Sequence, residues 1–565
     1  MIGGRKGRVL RLLTPCVRAS GGKIAAGLLC AGLASAVSLS IPWTIKLAIE
    51  DVFSARTLAL PTFAAGLLLL YVFRNIFVFV GRRSMLVAGE NTALTLRGML
   101  FQHLQTLSTG PQAGRGPGES LSRVMGDVSQ VEGFVETGLP KTANTILLVA
   151  GVLIIIFVKH PALAALSLAI VPLHLLLYIG FRSPIKSGNR RMRERQAGLA
   201  SGLVESLMGG KVVAASTAES RERDRFLGRA NGLLDSKLKL GSMHLWQKVL
   251  ADVAVGLGTV GVWYYGGRMV MNSPMKTGEF MAFLGYVGML YPLSLTLMTQ
   301  MGHTLGTAAS AERILDLLDT APDVADDPQS PLLTSVRGEV TFEDVHFSYN
   351  GTAAAGIRGL NAAIRPREVV AIVGPVGSGK STLGYLLARF YDVTHGKIYL
   401  DGVELGDLPL GQLRDEVGIA FQEPFLFSDT IANNIRYPAP EAGDWAVLSA
   451  AEAVGLAPLA ESLPDGLNTM IGGDGVQLSL GQKRRIDMAR MLIKDPRVLV
   501  LDSVFTEGDE EHRLEEEKVF RHISRDRTTF VVAPPAFILE RATKVIHLRR
   551  SGAASVEDRL DEIDA

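Results

Sequence analysis

The 565-residue sequence predicts a multidomain chain: an all-α membrane domain of six helices, then an α/β domain with a phosphate-binding loop. Three observations predict it. Mean hydropathy is +0.24, too high for a soluble chain of this length, whose apolar residues are diluted by a polar surface. The apolar residues concentrate in the first half, in six runs long enough to cross a bilayer. In the second half short β-rich runs alternate with helical stretches, and one run leads into a glycine-rich loop. At 47% hydrophobic residues the chain is not disordered. Its 58 cations and 56 carboxylates give a net charge of +2, which leaves no electrostatic footprint for nucleic acid. Two cysteines, Cys16 and Cys30, make neither a disulfide framework nor a metal cluster.

Residues 1–23 contain Arg5, Lys6, Arg8, Arg11, Arg18 and Lys23 and no acid. Such a leader reads as an organelle transit peptide or as a cytosolic interfacial elbow. Its direct run into the first span favours the elbow. The spans are 24–44, 58–81, 142–158, 162–181, 249–267 and 280–301. Only Arg74 and Asn75 interrupt the second; Asp252, glycines and Pro292 weaken the last two. Connections 50–57, 159–161 and 268–279 are short, whereas 82–141 and 182–248 are long and rich in arginine and lysine. Positive charge stays inside, so the N-terminus and the long connections are expected in the cytoplasm of a multi-pass protein of the bacterial plasma (inner) membrane. The long connections read as span helices continuing outward, and about thirty residues of helix project roughly 45 Å. Lys46, Arg74, Asp252 and His174 lie in or near spans, where charge is costly and often functional. Each is a candidate substrate contact, Arg74 with Asn75 foremost. The stronger reading of each is a bland one: snorkelling or a solvated cavity for Lys46 and Arg74, a place near the cytosolic end for Asp252, a local hydrogen bond for His174.

Residues 321–337 form an acidic, proline-containing linker, and 338–565 form the α/β domain. Its predicted strands are 340–349, 369–373, 397–400, 417–421, 498–501, 529–533 and 545–548. The second of these feeds Gly374-Pro375-Val376-Gly377-Ser378-Gly379-Lys380-Ser381-Thr382, a G-x-x-x-x-G-K-S loop that opens a helix. Glycines there let backbone N–H groups turn toward phosphate oxygens, and the helix dipole adds attraction. Lys380 is expected at the β- and γ-phosphates and Ser381 at Mg²⁺. The run 497–502 ends in Asp502, as a magnesium-orienting carboxylate requires.

Between them lies Leu478-Ser479-Leu480-Gly481-Gln482, which resembles the signature of ABC transporters. Six spans, two long cytoplasmic connections, a linker and a C-terminal nucleotide domain are together similar to an ABC exporter half-transporter along nearly the whole chain. That resemblance implies ATP and Mg²⁺ as cofactors, with Ser381 and Gln422 on the metal and Asp502 behind it. Tyr349 stands where the family stacks an aromatic on adenine, and Gln422 where it senses magnesium and touches the membrane domain. Residues 277–280 and 311–314 resemble tracts flanking the last span, and Glu205, Gly209, Gly210, Lys211 and Glu219 a cytoplasmic loop that docks on a nucleotide domain.

The departures from the family matter as much. After Asp502 the family has a glutamate that polarises the attacking water; this chain has Ser503. After the strand 529–533 it has a switch histidine; this chain has Pro534. Of the tract 503–509 only Asp509 keeps the pattern, and the tip 109–118 lacks the usual aromatics. A positioned base typically contributes ~10²–10⁴ in rate, so ATP is expected to bind and be cut slowly or not at all unless His512, His522 or another group substitutes. In the signature, Leu480 replaces a glycine while Ser479 and Gly481 remain for the ATP of an opposing subunit. The expected partner is a second, catalytically intact half-transporter, in a heterodimer that exports a small or amphiphilic molecule. A non-hydrolytic regulator, a homodimer and an import-direction transporter stay open, and the spans carry no readable substrate code.

Overall fold

A computed structural model of the chain describes residues 2–52, 59–107, 117–272, 275–322, 324, 332–349, 356–473, 475–506 and 509–558, and only the backbone of 2–19, 51, 59, 117, 174, 298, 301, 303 and 305. Two units divide it: Met1–Gln105 with Pro117–Thr320, and Thr106–Gly116 with Ala321–Ala565. The loop tip 109–118, apart from Gly118 and the backbone of residue 117, most of the linker and the His174 side chain lie outside the described residues.

In hydrocarbon the backbone has no water to bond, so a spanning segment must satisfy its own N–H and C=O groups as a helix. The first unit follows that rule. Its helices are α1 (Ile2–Leu47), α2 (Ala59–Thr106), α3 (Pro117–Leu121), α4 (Val128–Gly133), α5 (Leu139–Lys159), α6 (Pro161–Leu168), α7 (Ile170–Met208), α8 (Gly210–Ala215), α9 (Glu219–Met271) and α10 (Thr277–Leu318). Six stretches among them are long and apolar enough to cross a membrane. Helix α1 runs through Lys23 without a break, so the basic leader and the first span are one helix rather than separate elements. Helix α10 continues through Pro292. Between α5 and α6 the chain leaves helical space at His160 (φ −144°, ψ 83°), because Pro161 disfavours a helical residue before it. Among the described residues three π-helical segments, unforeseen from the sequence, occupy Ala48–Val52, Ser122–Asp127 and Phe134–Gly138.

Helix α1 packs on α5 and α10. A side chain at Gly285 would come within 3.1 Å of Pro42, so glycine there allows the close approach. The Tyr286 hydroxyl donates to the Leu39 carbonyl at 2.9 Å. Val152, Ile156, Leu163, Phe283, Leu290 and Tyr291 are buried against one another. Further along α10, Arg313 Nε donates to Asp127 Oδ2 at 2.9 Å, fastening a π-helical segment to the helix.

The second unit holds two main sheets. Strands β1 (Val340–Phe347), β2 (Ile357–Ile364), β4 (His395–Leu400) and β5 (Val403–Glu404) form an antiparallel sheet in the order β2-β1-β4-β5. Strands β3 (Val369–Val373), β6 (Val417–Ala420), β9 (Val498–Asp502), β10 (Thr528–Val532), β11 (Lys544–Leu548) and β12 (Ala554–Asp558) form the other, in the order β12-β11-β3-β10-β9-β6. All its pairs are parallel except β11 with β12. A small ribbon pairs β7 (Asp429–Thr430) with β8 (Met470–Ile471). The helices are α11 (Lys380–Leu387), α12 (Leu410–Glu416), α13 (Ile431–Arg436), α14 (Asp444–Ala453), α15 (Ala457–Ser462), α16 (Leu480–Lys494), α17 (Glu510–Ile523) and α18 (Ala536–Leu539).

A buried ion pair ties these elements together. Asp487 and Arg490, both on α16 and less than a tenth exposed, meet at 3.1 Å. The second Asp487 oxygen accepts from Phe421 N at 2.9 Å, while Arg490 donates to the carbonyls of Phe425 (2.8 Å) and Asn434 (2.7 Å) and to Asn434 Oδ1 (2.8 Å). Burial pushes the Asp487 carboxyl above its usual range, and the Phe421 N–H and Arg490 pull it back. Deleting one partner of such a pair strands the other charge and costs about 3–5 kcal/mol. Arg490→Met is therefore expected to lower the denaturation midpoint of the nucleotide domain in the full-length chain, read by intrinsic fluorescence against denaturant, while the exposed-pair variant Arg513→Met leaves it within about 1 kcal/mol.

Candidate nucleotide-binding site

The parallel register brings three strand ends together. Val532 at the end of β10 lies opposite both Asp502 of β9 and Ile372 of β3. Ligands of open α/β sheets bind off these carboxyl ends. The loop after β3 turns at Gly377 (φ +81°) and Gly379 (φ +93°), left-handed conformations that only glycine adopts at low cost, and α11 starts at Lys380. Ser378 is 2% exposed, and its Oγ has no hydrogen-bond partner among the described residues. A buried orphan hydroxyl within a glycine-rich cradle fits a phosphate oxygen, which would satisfy it. Lys380 Nζ donates to the carbonyls of Gly374 (2.8 Å) and Pro375 (2.9 Å), which holds its ammonium on the loop.

Ser381 Oγ donates to Asp502 Oδ1 at 3.0 Å. With Gln422 on the wall of the same cavity, these are hard oxygen donors of the kind Mg²⁺ takes. Burial raises the Asp502 carboxyl above the usual range; hydrogen bonds from Ser381 and Ser503 and the charges of Lys380 and Arg484 oppose that rise. The cavity, about 500 Å³, is lined by Tyr349, Lys380, Ser381, Gln422, Ser503 and Ala533, among others. Ser503 N donates to the Val532 carbonyl at 3.2 Å and Ala533 N to the Ile372 carbonyl at 2.9 Å, so the residues that follow β9 and β10 sit side by side. Pro534 is next in that line and carries no N–H. Neither His512 nor His522 lines the cavity, and His512 Nε2 lies 3.2 Å from the Thr506 hydroxyl. Asp509 accepts from His512 N at 2.9 Å as the N-cap of α17, which gives the retained aspartate a structural partner.

Tyr349 is half-exposed on the cavity wall, edge-on to Phe347 and Tyr391, with its hydroxyl 3.0 Å from Thr382 Oγ1. That link between the aromatic and the phosphate loop escaped the sequence, since 33 positions separate the partners. So did Arg484, whose Nε donates to the Gln422 carbonyl at 3.1 Å. In the signature tract, Ser479 caps α16: its Oγ accepts from Gln482 N at 3.2 Å while Gln482 Oε1 accepts from Ser479 N at 2.8 Å. Ser479, Leu480 and Gly481 are exposed, Leu478 and Gln482 partly so.

Within the membrane unit, Arg74 Nε donates to Ser38 Oγ at 2.9 Å. It lines a cavity of about 520 Å³ that also holds Arg82, Lys141, Glu136 and Asn144. Asn75 instead bonds its own helix, donating to the Tyr71 carbonyl. Lys46 bridges to Glu279 at 2.8 Å, and Asp252 is exposed.

Residues 24–292 match the family model of the ABC transporter transmembrane region, and residues 357–506 match that of the ABC transporter. The chain belongs to the ABC transporter family, as a half-transporter of the exporter type that carries both parts in one polypeptide. It is 28% identical over 551 residues to an ATP-dependent lipid A-core flippase of Syntrophus aciditrophicus (strain SB), covering 97% of this chain and 91% of that protein. It is 31% identical over 460 residues to the uncharacterized ABC transporter ATP-binding protein YknV of Bacillus subtilis (strain 168), covering 81% and 76%. Among solved structures, a bacterial Atm1-family ABC exporter with ATP bound superposes with a TM-score of 0.81 at 24% identity, covering 98% of this chain and 97% of that one. The six spans and these bacterial relatives place the chain in the bacterial inner membrane, and its activity is ATP-dependent export.

One pH dependence follows from Asp502. A raised pKa means that its carboxylate is lost on acidification earlier than an ordinary aspartate near 3.9. The magnesium-dependent part of ATP affinity should therefore fall from a pH above that range. Titration with a fluorescent ATP analogue, with and without Mg²⁺, is expected to show the step in the wild type and not in Asp502→Asn.

Proposed function

We propose that this chain is the ATP-holding, weakly hydrolytic subunit of an asymmetric exporter, paired with a different half-transporter that supplies a competent base and switch histidine. The observation that carries the reading is Ser503 bonded to Val532, the residue before Ala533 and Pro534, on the wall of the same cavity as Ser381, where Asp502 and the phosphate loop are intact. Glycine N–H groups, Ser378 and Lys380 would bind the ATP phosphates, Tyr349 would face the adenine, and Ser381 and Gln422 would hold Mg²⁺ with Asp502 behind. Bound Mg²⁺ would neutralise charge on the phosphates. A serine hydroxyl is a poor proton acceptor at neutral pH, and a proline offers no donor to the γ-phosphate. Capping by Ser479 pre-forms the N-terminus of α16, whose exposed end supports a clasp on the partner's ATP.

The cavity around Arg74, Arg82 and Lys141 supports an amphiphilic substrate with an anionic group, in keeping with the lipid A-core flippase among the relatives. Its three cations face the single carboxylate of Glu136. Replacing Lys141 by Gln is expected to weaken stimulation of ATPase activity by an anionic amphiphile more than by its neutral analogue.

The decisive experiment measures ATPase activity of the purified chain alone, of its genomic-neighbour half-transporter alone, and of both together. Activity should be low for this chain and highest for the mixture. Ordinary exporter rates from this chain alone would overturn the reading. Restoring the base and the imidazole together, Ser503→Glu with Pro534→His, is expected to raise the rate by ~10²–10⁴ without changing ATP affinity by a comparable factor.

A further inference from the structure

Away from both cavities, the short connections of the membrane unit gather six ionisable side chains. Lys46 lies in the last turn of α1 and Glu50 in the π-helical segment that follows it, Lys159 and His160 end α5, and Lys276 and Glu279 open α10. By the charge bias of the connections this is the outer end of the domain. Lys46 Nζ reaches Glu279 Oε1 at 2.8 Å, with side chains only 16% and 27% exposed. Trp43 lies between two ammonium groups, Lys46 at 4.7 Å and Lys159 at 4.6 Å from its ring centre. Glu50 stands over Gly278, where a Cβ would come within 2.7 Å of its carboxylate, and Lys276 lies 3.9 Å from it.

The spacing of the alternative partners gives this cluster a second arrangement. Lys46 is already 4.0 Å from Glu50, on its own segment. Glu279 is 3.9 Å from His160 Nε2, across α5 and α10. If α1 parted from α5 and α10, Lys46 could pass to Glu50 and Glu279 to His160, so neither charge would be stranded. An ordinary buried pair has no such exit, and breaking it leaves a lone charge. Two discrete pairings with a common pivot are what a bistable element needs.

We infer that Lys46 and Glu279 form a partner-exchanging ionic latch that holds the outer ends of α1 and α10 together and releases them when the outer mouth opens. Gly278 is the cradle that lets Glu50 sit against the start of α10 while the latch is closed. This inference concerns the outer end alone and does not depend on how fast the ATP site turns over.

The test uses the full-length chain in lipid nanodiscs without nucleotide, with spin labels at the exposed positions Leu47 and Thr277 and distances read by dipolar broadening and pulsed electron resonance. The wild type is expected to give one short-distance population. Lys46→Met and Glu279→Gln should each add a longer one, shifting the ratio by at least about fivefold, the low end of a typical coupling. The swap Lys46→Glu with Glu279→Lys should restore the short population, and Lys276→Met, which removes only an exposed cation, should leave it unchanged. Gly278→Ala, which alters no charge, should lengthen the distance. Unchanged distances in both single variants would overturn the latch. So would a swap that behaves like the single variants, because a merely space-filling pair would not distinguish charge order.

Discussion

The ion pair of Asp487 and Arg490 joins parts of the nucleotide domain that have separate duties. Both residues stand on α16, the helix whose N-terminus is capped by Ser479. Through Phe421 N and the Phe425 carbonyl the same pair holds the segment that carries Gln422. Through Asn434 it holds α13. In a low-dielectric interior such a network is stiff while it is fully satisfied. The segment that carries Gln422 and the capped N-terminus of α16 are thus braced against one buried charge. Arg484, six residues before Arg490 on α16, adds a bond to the Gln422 carbonyl itself.

Much of this architecture is legible from residue order. Hydropathy locates every span because the bilayer admits no other backbone solution than a helix. The strands ending at Val373, Asp502 and Val532 are apolar runs, buried almost throughout, and such runs announce a parallel sheet. That is why positions 503 and 534 align with the family from residue order alone. Strand β2, read IRGLNAAI, escaped notice: its glycine, asparagine and alanines lower β-propensity, and pairing with β1 supplies the missing preference. Strand β12 escaped for a similar reason, with three of five residues polar or acidic.

The contacts that could not be read are long-range. Lys46 and Glu279 are 233 positions apart; residue order shows Lys46 as a charge near a span and Glu279 only as part of the tract flanking the last span. Arg74 seemed a break in an apolar helix; the fold gives it Ser38 and a shared cavity with Lys141 and Asn144. Asp127 and Arg313, separated by 186 positions, belong to the same class. Local sequence states which side chains are costly, and only the packing states who shares the cost.

The two π-helical segments before α5 carry a consequence of their own. Each residue of an α-helix turns the chain by about 100°, so one residue more or fewer rotates everything beyond it by that angle. A π turn is the place where such an extra residue is stored without breaking the helix. The direction in which Lys141 and Asn144 point is therefore set by a residue count upstream, in Ser122–Asp127 and Phe134–Gly138, as much as by their own identities. A family can re-aim the lining of this cavity by a single-codon insertion or deletion there, leaving every lining residue in place.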